Sequence, residues 1–484
     1  MDPLPQEPTF SHQLSKAFNS PLSPTSETRS MHSPGTNSTE RTSLSLFINL
    51  PSETSSVNLD SPLAFNSLEF SQQLPLQSPT SLLSTSSSIV SVGKERKLSI
   101  HKRAKFPDLT SSTLFYDIPN NDPLTDMLTR HATTDHRKRS LSVNKPFINR
   151  EDLDIVYEMM KQNSWWSLAV SCRKRIINSE PFELERILFL WYCRILSLVK
   201  LRMHSLAAGE LDRLGNLDRQ EFQYENYPEI YPDHKAGSIV PFEFLVLAAR
   251  IPAYMGNSQE TINKLYKIIF TCKKMKLRLK YSENTEEQQM WASREAQLSL
   301  TVVNHLIEMK DANAATSLMA YICQQFKTQP EVWSALGRIY IQTGNLKQAQ
   351  CAFKHVEDLA REQKSLDETI LLNSSYVQMA EGKWEEAWHT LNRVLEINHR
   401  NSAAANNLAL CSLYMGRISN AIDTQESLIS FAPSTVGNSE TVLFNLSTFY
   451  EMRTDNSLEK KRRLMVEVGK WAGDGFSVDC FKLS

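Results

Sequence analysis

Three glycines constrain this chain more than any other feature. Gly344, Gly382 and Gly416 are each followed five residues later by an alanine, Ala349, Ala387 and Ala421. From Gly382 to Gly416 is 34 residues. A fixed interval of that size signals a two-helix unit repeated along the chain, each copy able to bury its apolar face only against its neighbours. Setting one unit at Pro330 places Trp333, Leu336, Gly337, Tyr340, Ala349 and Phe353 on its key positions. Gly337 and Ala349 are small because two antiparallel helices approach closely there. Trp333, Tyr340 and Phe353 fill the space between units.

This is the tetratricopeptide pattern, W-x-x-L-G-x-x-Y…A-x-x-x-F, and it predicts an all-α tetratricopeptide-repeat solenoid. One period back lies a unit from Ala296 with Val302, Val303, Leu306 and Ala315. Ahead lie units from Glu368 and from Ser402, the latter with Leu408, Ala409, Ala421, Leu428 and a terminal Pro433. Gly344 to Gly382 is 38 residues, so the unit from Pro330 carries about four extra, expected in the loop near Arg361 to Ser365. Leu443, Leu446, Tyr450 and Leu458 read as a degenerate capping unit, and Trp191 with Ala207 as another unit upstream. Stacked units form a superhelix with a concave groove lined by each first helix. Gln297, Asn304, Arg338, Asn373, Tyr376, Asn407 and Tyr414 are the candidates for protein binding in that groove.

The rest of the chain divides around this array. Residues 1–149 are rich in Ser, Thr and Pro and lack helical or strand periodicity, so they are expected to form a disordered tail whose removal leaves thermal unfolding unchanged. Serines followed by proline, Ser20, Ser23, Ser33, Ser61 and Ser78, are candidate phosphosites for a proline-directed kinase. Two basic clusters, Lys94 to Lys105 and Arg137 to Arg139, and the apolar stretches Leu44 to Ile48 and Thr113 to Tyr116 lie in the same tail. Residues 150–290 read as an N-terminal helical part, 291–455 as the repeats and 456–484 as a C-terminal cap. Pro181 to Glu185 opens a helix that runs through Trp191 and Leu198, and Gly215 ends its partner.

Charge and motifs then narrow the function. A formal net charge of -1 provides no global field for nucleic acid or anionic membrane, so any electrostatic binding must be local. The seven cysteines are widely spaced, fitting reduced thiols and no zinc site. No signal peptide, membrane anchor, phosphate-cradling glycine loop, metalloprotease helix or nucleophile elbow is visible. Scattered histidines such as His305, His355, His389 and His399 suit packing better than general-base work. The expectation is a non-enzyme without cofactor or metal.

Between the two helical parts lies Tyr224-Glu225-Asn226-Tyr227-Pro228-Glu229-Ile230-Tyr231-Pro232, then Gly237 to Phe242 and Pro252 to Asn257. Physically, these prolines stiffen an extended connection that tyrosines pack onto the solenoid. With Leu443-Phe444-Asn445-Leu446-Ser447-Thr448-Phe449-Tyr450-Glu451 and the ending Gly475-Phe476-Ser477-Val478-Asp479-Cys480-Phe481-Lys482-Leu483, this stretch closely resembles the subunit-12 family of the transport (trafficking) protein particle, or TRAPP, complexes. The resemblance covers residue 150 to the end. It implies a non-catalytic scaffold subunit of a TRAPP III-type vesicle-tethering and Rab guanine-nucleotide exchange complex. Such a subunit docks on the large arm subunits 8 and 11, meets a Rab GTPase only indirectly and acts in ER-to-Golgi transport and autophagy. It is cytoplasmic and peripheral to ER–Golgi membranes, with a nuclear or kinetochore pool in mitosis. The alternative is a tetratricopeptide adaptor for chaperone or mitotic partners. A chaperone clamp wants cations where this chain has Ser334, Ala403, Asn373 and Asn407, so weak binding of acidic C-terminal peptides is expected.

Overall fold

The computed structural model describes residues 106–119, 122–131, 152–231, 237–279, 285–363, 367–433, 439–453 and 456–483. The five serine-proline sites, both basic clusters and the stretch Leu44 to Ile48 lie outside these residues. Every described element is helical or irregular, apart from one isolated bridge between Gln223 and Ser238.

A short helix α1 (Pro123–His131) is followed by antiparallel pairs: α2 (Asp152–Lys161) with α3 (Trp165–Ile177), α4 (Leu184–Lys200) with α5 (His204–Leu214), and α6 (Phe242–Tyr254) with α7 (Ser258–Leu279). Next come α8 (Thr285–Glu308) with α9 (Ala312–Gln325), α10 (Pro330–Gln342) with α11 (Leu346–Gln363), and α12 (Asp367–Ala380) with α13 (Trp384–Ile397). The last pairs are α14 (Ser402–Tyr414) with α15 (Ile418–Phe431) and α16 (Glu440–Arg453) with α17 (Ser457–Gly469).

One turn recurs between the helices of a pair. Gly344, Gly382 and Gly416 have φ of +77°, +77° and +75°, and the amide three residues after each helix end bonds back into the last turn: Asn345 to Tyr340 O, Lys383 to Gln378 O, Arg417 to Ser412 O. The same left-handed turn, with the same return bond, sits at Asn163, Arg202, Gly256 and Lys310. A left-handed residue at a helix end satisfies carbonyls that would otherwise lack partners. Five residues beyond the turn the helices touch, and Ala207, Thr261, Ala315, Ala349, Ala387 and Ala421 are all fully buried there. Thr261 adds a bond, its Oγ1 accepting from the Ala253 amide at 2.8 Å.

Gly337 is dictated by packing alone: a Cβ there would overlap the buried Phe353 ring. The extra residues expected in the loop after α11 instead lengthen that helix, which has 18 residues against 14 in α13 and in α15. Pro252, expected in an extended connection, lies inside α6, where burial of Ala249, Ile251 and Ala253 offsets the lost amide donor. The Tyr/Pro stretch before it opens with a short 3-10 turn, Tyr224–Asn226, directly after another at Gln220–Phe222, with Tyr227 buried and the Tyr224 hydroxyl donating to Glu185 at 2.7 Å.

The boundary of the expected tail also moves. Residues 106–119 lie along the α3–α5 helices as an extended strap. Phe115 stacks on Trp191 with centroids 4.5 Å apart, and the Trp191 indole donates to Leu109 O at 3.1 Å. Arg194 and Glu210, both fully buried, form an ion pair of 2.5 Å that also grips the strap: Glu210 accepts from the Tyr116 amide at 2.9 Å, and Arg194 donates to Tyr116 O at 2.9 Å. Helix α1 then buries Leu124 and Leu128 in the apolar cluster that holds Met465, Val468 and Phe481. These segments have no periodicity because their partners lie far away in sequence.

Candidate functional site

The inner helices α8, α10, α12 and α14 carry the predicted groove residues, and the structure divides them. Gln297 and Asn304 are half-buried on α8, and the Thr301 hydroxyl donates to Gln297 O at 3.0 Å. Arg338 on α10 is half-buried beside α12. Its Nη1 donates to Ser334 Oγ at 3.0 Å, and the Ser334 hydroxyl bonds Asn373 Oδ1 at 2.7 Å. This relay leaves Arg338 Nε and Asn373 Nδ2 buried with no hydrogen-bond partner. No carboxylate pairs with Arg338 among the described residues. Burial lowers the Arg338 pKa, with the adjacent Tyr376 acting in the opposite sense, and burial raises that of the fully enclosed Tyr376, with Arg338 opposing. Half-buried Arg338 therefore keeps a positive charge that no carboxylate offsets among the described residues, which suits an oxyanion reaching the exposed part of its side chain from outside.

Tyr376 and Asn407 do not face an open groove, contrary to the expectation for them. Both are fully buried, and in α14 every residue from Ala403 to Ser412 is buried. The cause is composition: Ala403, Ala404, Ala405 and Ala409 let neighbouring helices close around α14. Asn373 is also nearly enclosed, at 3% exposure. Tyr414 sits at the end of α14, stacked on Trp384 with centroids 4.1 Å apart. Of the residues set on the repeat positions, Trp333 stands edge-on to His355 at 4.3 Å, Tyr340 is half-buried against the Phe353 cluster, and Pro433 is half-buried after α15.

Sequence reasoning missed a second polar group beside Asn407. Asn406 Oδ1 accepts from Gln425 Nε2 and from Asn445 Nδ2, each at 2.9 Å and all three residues buried. The Asn406–Asn445 step is 39 residues, the same as Ser334–Asn373. That shared interval between inner helices is the signal that would have found it.

Against known proteins, a tetratricopeptide-repeat family model matches residues 330–363. The chain is homologous to trafficking protein particle complex subunit 12 of Homo sapiens, 33% identical over 311 residues, covering 61% of this chain and 42% of that protein. The Mus musculus subunit 12 is 32% identical over 311 residues, covering 61% of this chain and 39% of that protein. The chain thus spans about two fifths of the length of these relatives. The resemblance read from the Tyr/Pro and terminal motifs accordingly agrees with matches over most of the chain. Among solved structures, the apo form of RapI aligns at 12% identity with TM-score 0.33, covering 66% of this chain and 96% of RapI. A tetratricopeptide repeat protein from Parabacteroides merdae aligns at 11% identity with TM-score 0.31, covering 66% of this chain and 97% of that one. The fold assignment comes from the helix pairs themselves and the repeat match.

Proposed function

We propose that this chain is a non-catalytic scaffold subunit of a TRAPP III-type vesicle-tethering and Rab guanine-nucleotide exchange complex, acting in ER-to-Golgi transport. The observation that supports it most is the 33% identity to subunit 12 over 311 residues, together with a repeat array that offers docking surface in place of a reaction centre. In this reading the large arm subunits 8 and 11 are the direct partners, a Rab GTPase is met only through other subunits, and the chain is cytoplasmic and peripheral to ER–Golgi membranes. Links to autophagy and to a mitotic kinetochore pool, with phosphorylation at the serine-proline sites, belong to the same reading. Arg338 is its docking residue, taking an acidic side chain from a partner.

Affinity purification of the full chain followed by mass spectrometry tests this. TRAPP subunits should dominate the partner list, and Arg338→Gln should deplete at least one. A list without TRAPP subunits overturns the assignment. The chaperone-adaptor reading has in its favour an Arg338 guanidinium that no carboxylate pairs with among the described residues. Micromolar binding of an acidic C-terminal peptide, followed by fluorescence titration, would favour it over the scaffold.

A further inference from the structure

Helix α7 turns an unusual face outward. Tyr266, Phe270 and Leu277 fall on one stripe, at i, i+4 and i+11, and are 46%, 70% and 64% exposed. Phe270 is the most exposed of the large apolar side chains described. Tyr321 on α9 extends the stripe, 45% exposed, with Lys273 Nζ 5.8 Å from its ring centre. The helix carries Lys264, Lys267, Lys273, Lys274, Lys276 and Arg278 against a single acid, Glu260. Glu260 pairs with Lys264, and Glu295 on α8 takes Lys276 at 2.5 Å and Lys273 at 3.8 Å. Lys267, Lys274 and Arg278 remain exposed beside the stripe with no ion pair among the described residues.

We propose that this face of α7 is a docking surface for an anionic phospholipid bilayer. The inward face of the helix is already committed to the core through Ile262, Leu265, Ile269 and Cys272. What it shows outward is led by Phe270 and Leu277, both more than three fifths exposed and so not enclosed by neighbouring side chains. Protein interfaces deplete lysine at their centres, whereas a lipid surface attracts it. Lysine stems can lie along the apolar stripe while the ammonium groups reach phosphates. Tyr and Phe side chains suit the boundary between headgroup and acyl chain. The near-neutral whole chain hides this patch, because the positive charge is concentrated on one helix. The inference does not rest on the scaffold reading, since it concerns the purified chain alone.

The test is sedimentation of the full chain with vesicles of phosphatidylcholine alone or mixed with phosphatidylserine. Binding is expected to the mixed vesicles only and to fall as salt shortens the range of the attraction. Lys267→Glu with Lys274→Glu should weaken binding at least about tenfold, since each basic side chain near such a surface contributes roughly a fivefold factor. Phe270→Glu with Leu277→Glu should abolish it. These positions are exposed, so helicity and thermal unfolding should match the parent chain, and both are measured alongside. Absence of vesicle binding, equal binding to neutral vesicles, or unchanged binding by the Phe270/Leu277 variant overturns the proposal. So does a photocrosslinker at position 270 that captures an acidic protein while vesicles leave its yield unchanged.

Discussion

Lys310 holds φ at +63°, a left-handed backbone that an L side chain adopts at a penalty of roughly 1–2 kcal/mol. Gly344, Gly382 and Gly416 occupy the equivalent turn without that penalty. Replacing Lys310 with Gly should therefore stabilise the chain by about 0.5–1 kcal/mol, part of the strain relief being lost to the freer unfolded chain. A denaturation midpoint that falls in Lys310→Gly would show that the lysine side chain contributes more than its backbone loses. Gly337 has the opposite logic, because it is helical and its constraint is the Phe353 ring. Gly337→Ala gains helix propensity of about 1 kcal/mol, yet must push a buried aromatic ring aside, at about 1–3 kcal/mol. A net loss is expected, with Phe353→Leu in the same chain restoring part of it. A stable Gly337→Ala protein would mean the ring has room to swing.

At the scale of elements, the strap of residues 106–119 is held by a buried ion pair that also joins α4 to α5 and, through Arg194 donating to Ala169 O at 3.0 Å, reaches α3. Glu210→Gln would leave Arg194 charged, buried and without its carboxylate, which typically costs about 3–5 kcal/mol. Phe115→Ala should cost a similar amount by emptying the space over Trp191. Both variants should raise amide exchange at Tyr116, and removal of residues 1–149 should lower the melting temperature, where tail disorder throughout would predict no change. The repeats from Pro330 onward were legible because Gly344, Gly382 and Gly416 mark the left-handed turn openly. Asn163, Arg202 and Lys310 make the same turn with other side chains, which conceals the earlier units. The strap was legible only as the apolar stretch Thr113 to Tyr116, because an extended segment recognised through its backbone carries no periodicity that would place its partner. The groove was legible only in part, since residue spacing places Asn407 on an inner face but does not report that alanines let neighbours close over it.

The same scale governs the acid response of the C-terminal turn Val478–Phe481. Glu451 accepts from Lys461 and from Lys482, the latter at 2.6 Å. Burial works to raise the Glu451 pKa, and the two ammonium groups outweigh it, so the net value lies below the ordinary carboxylate range. A carboxyl whose folded pKa lies below its unfolded one contributes stability that is complete above the unfolded value and vanishes as pH falls through the folded one. Exchange at the 478–481 amides should therefore rise on acidification below about pH 4.3, the ordinary glutamate value. Glu451→Gln should show the raised exchange already at neutral pH and lose that acid step.

In the whole molecule, the C-terminal segment returns to the first helix pairs. Helix α3 has no capping bond from its own Ser164, and Asp474 supplies it: a carboxylate oxygen accepts from the Trp166 amide at 3.1 Å, while the Asp474 amide donates to Asn163 O at 3.1 Å. Gly475, at φ +75°, lies against the Lys200 carbonyl so closely that a Cβ would overlap it. Arg202 and Glu440 add an ion pair of 2.6 Å, too exposed to matter much alone. An open stack of repeats couples each unit only to its neighbours and unfolds piecewise. Joining the two ends removes the free edges from which that unfolding would start, so the parent chain should unfold more cooperatively than an open array of its length. Asp474→Ala should cost about 0.5–2 kcal/mol, as for loss of any helix cap. Gly475→Ala should go further, because the backbone it meets cannot swing aside as a side chain could. It should lower the denaturant dependence of unfolding or split the transition in two, and raise exchange across 165–177. A Gly475→Ala chain with the parent slope and unaltered exchange there would show that the end contact contributes nothing to cooperativity, and that α3 is held by the strap and α4 alone.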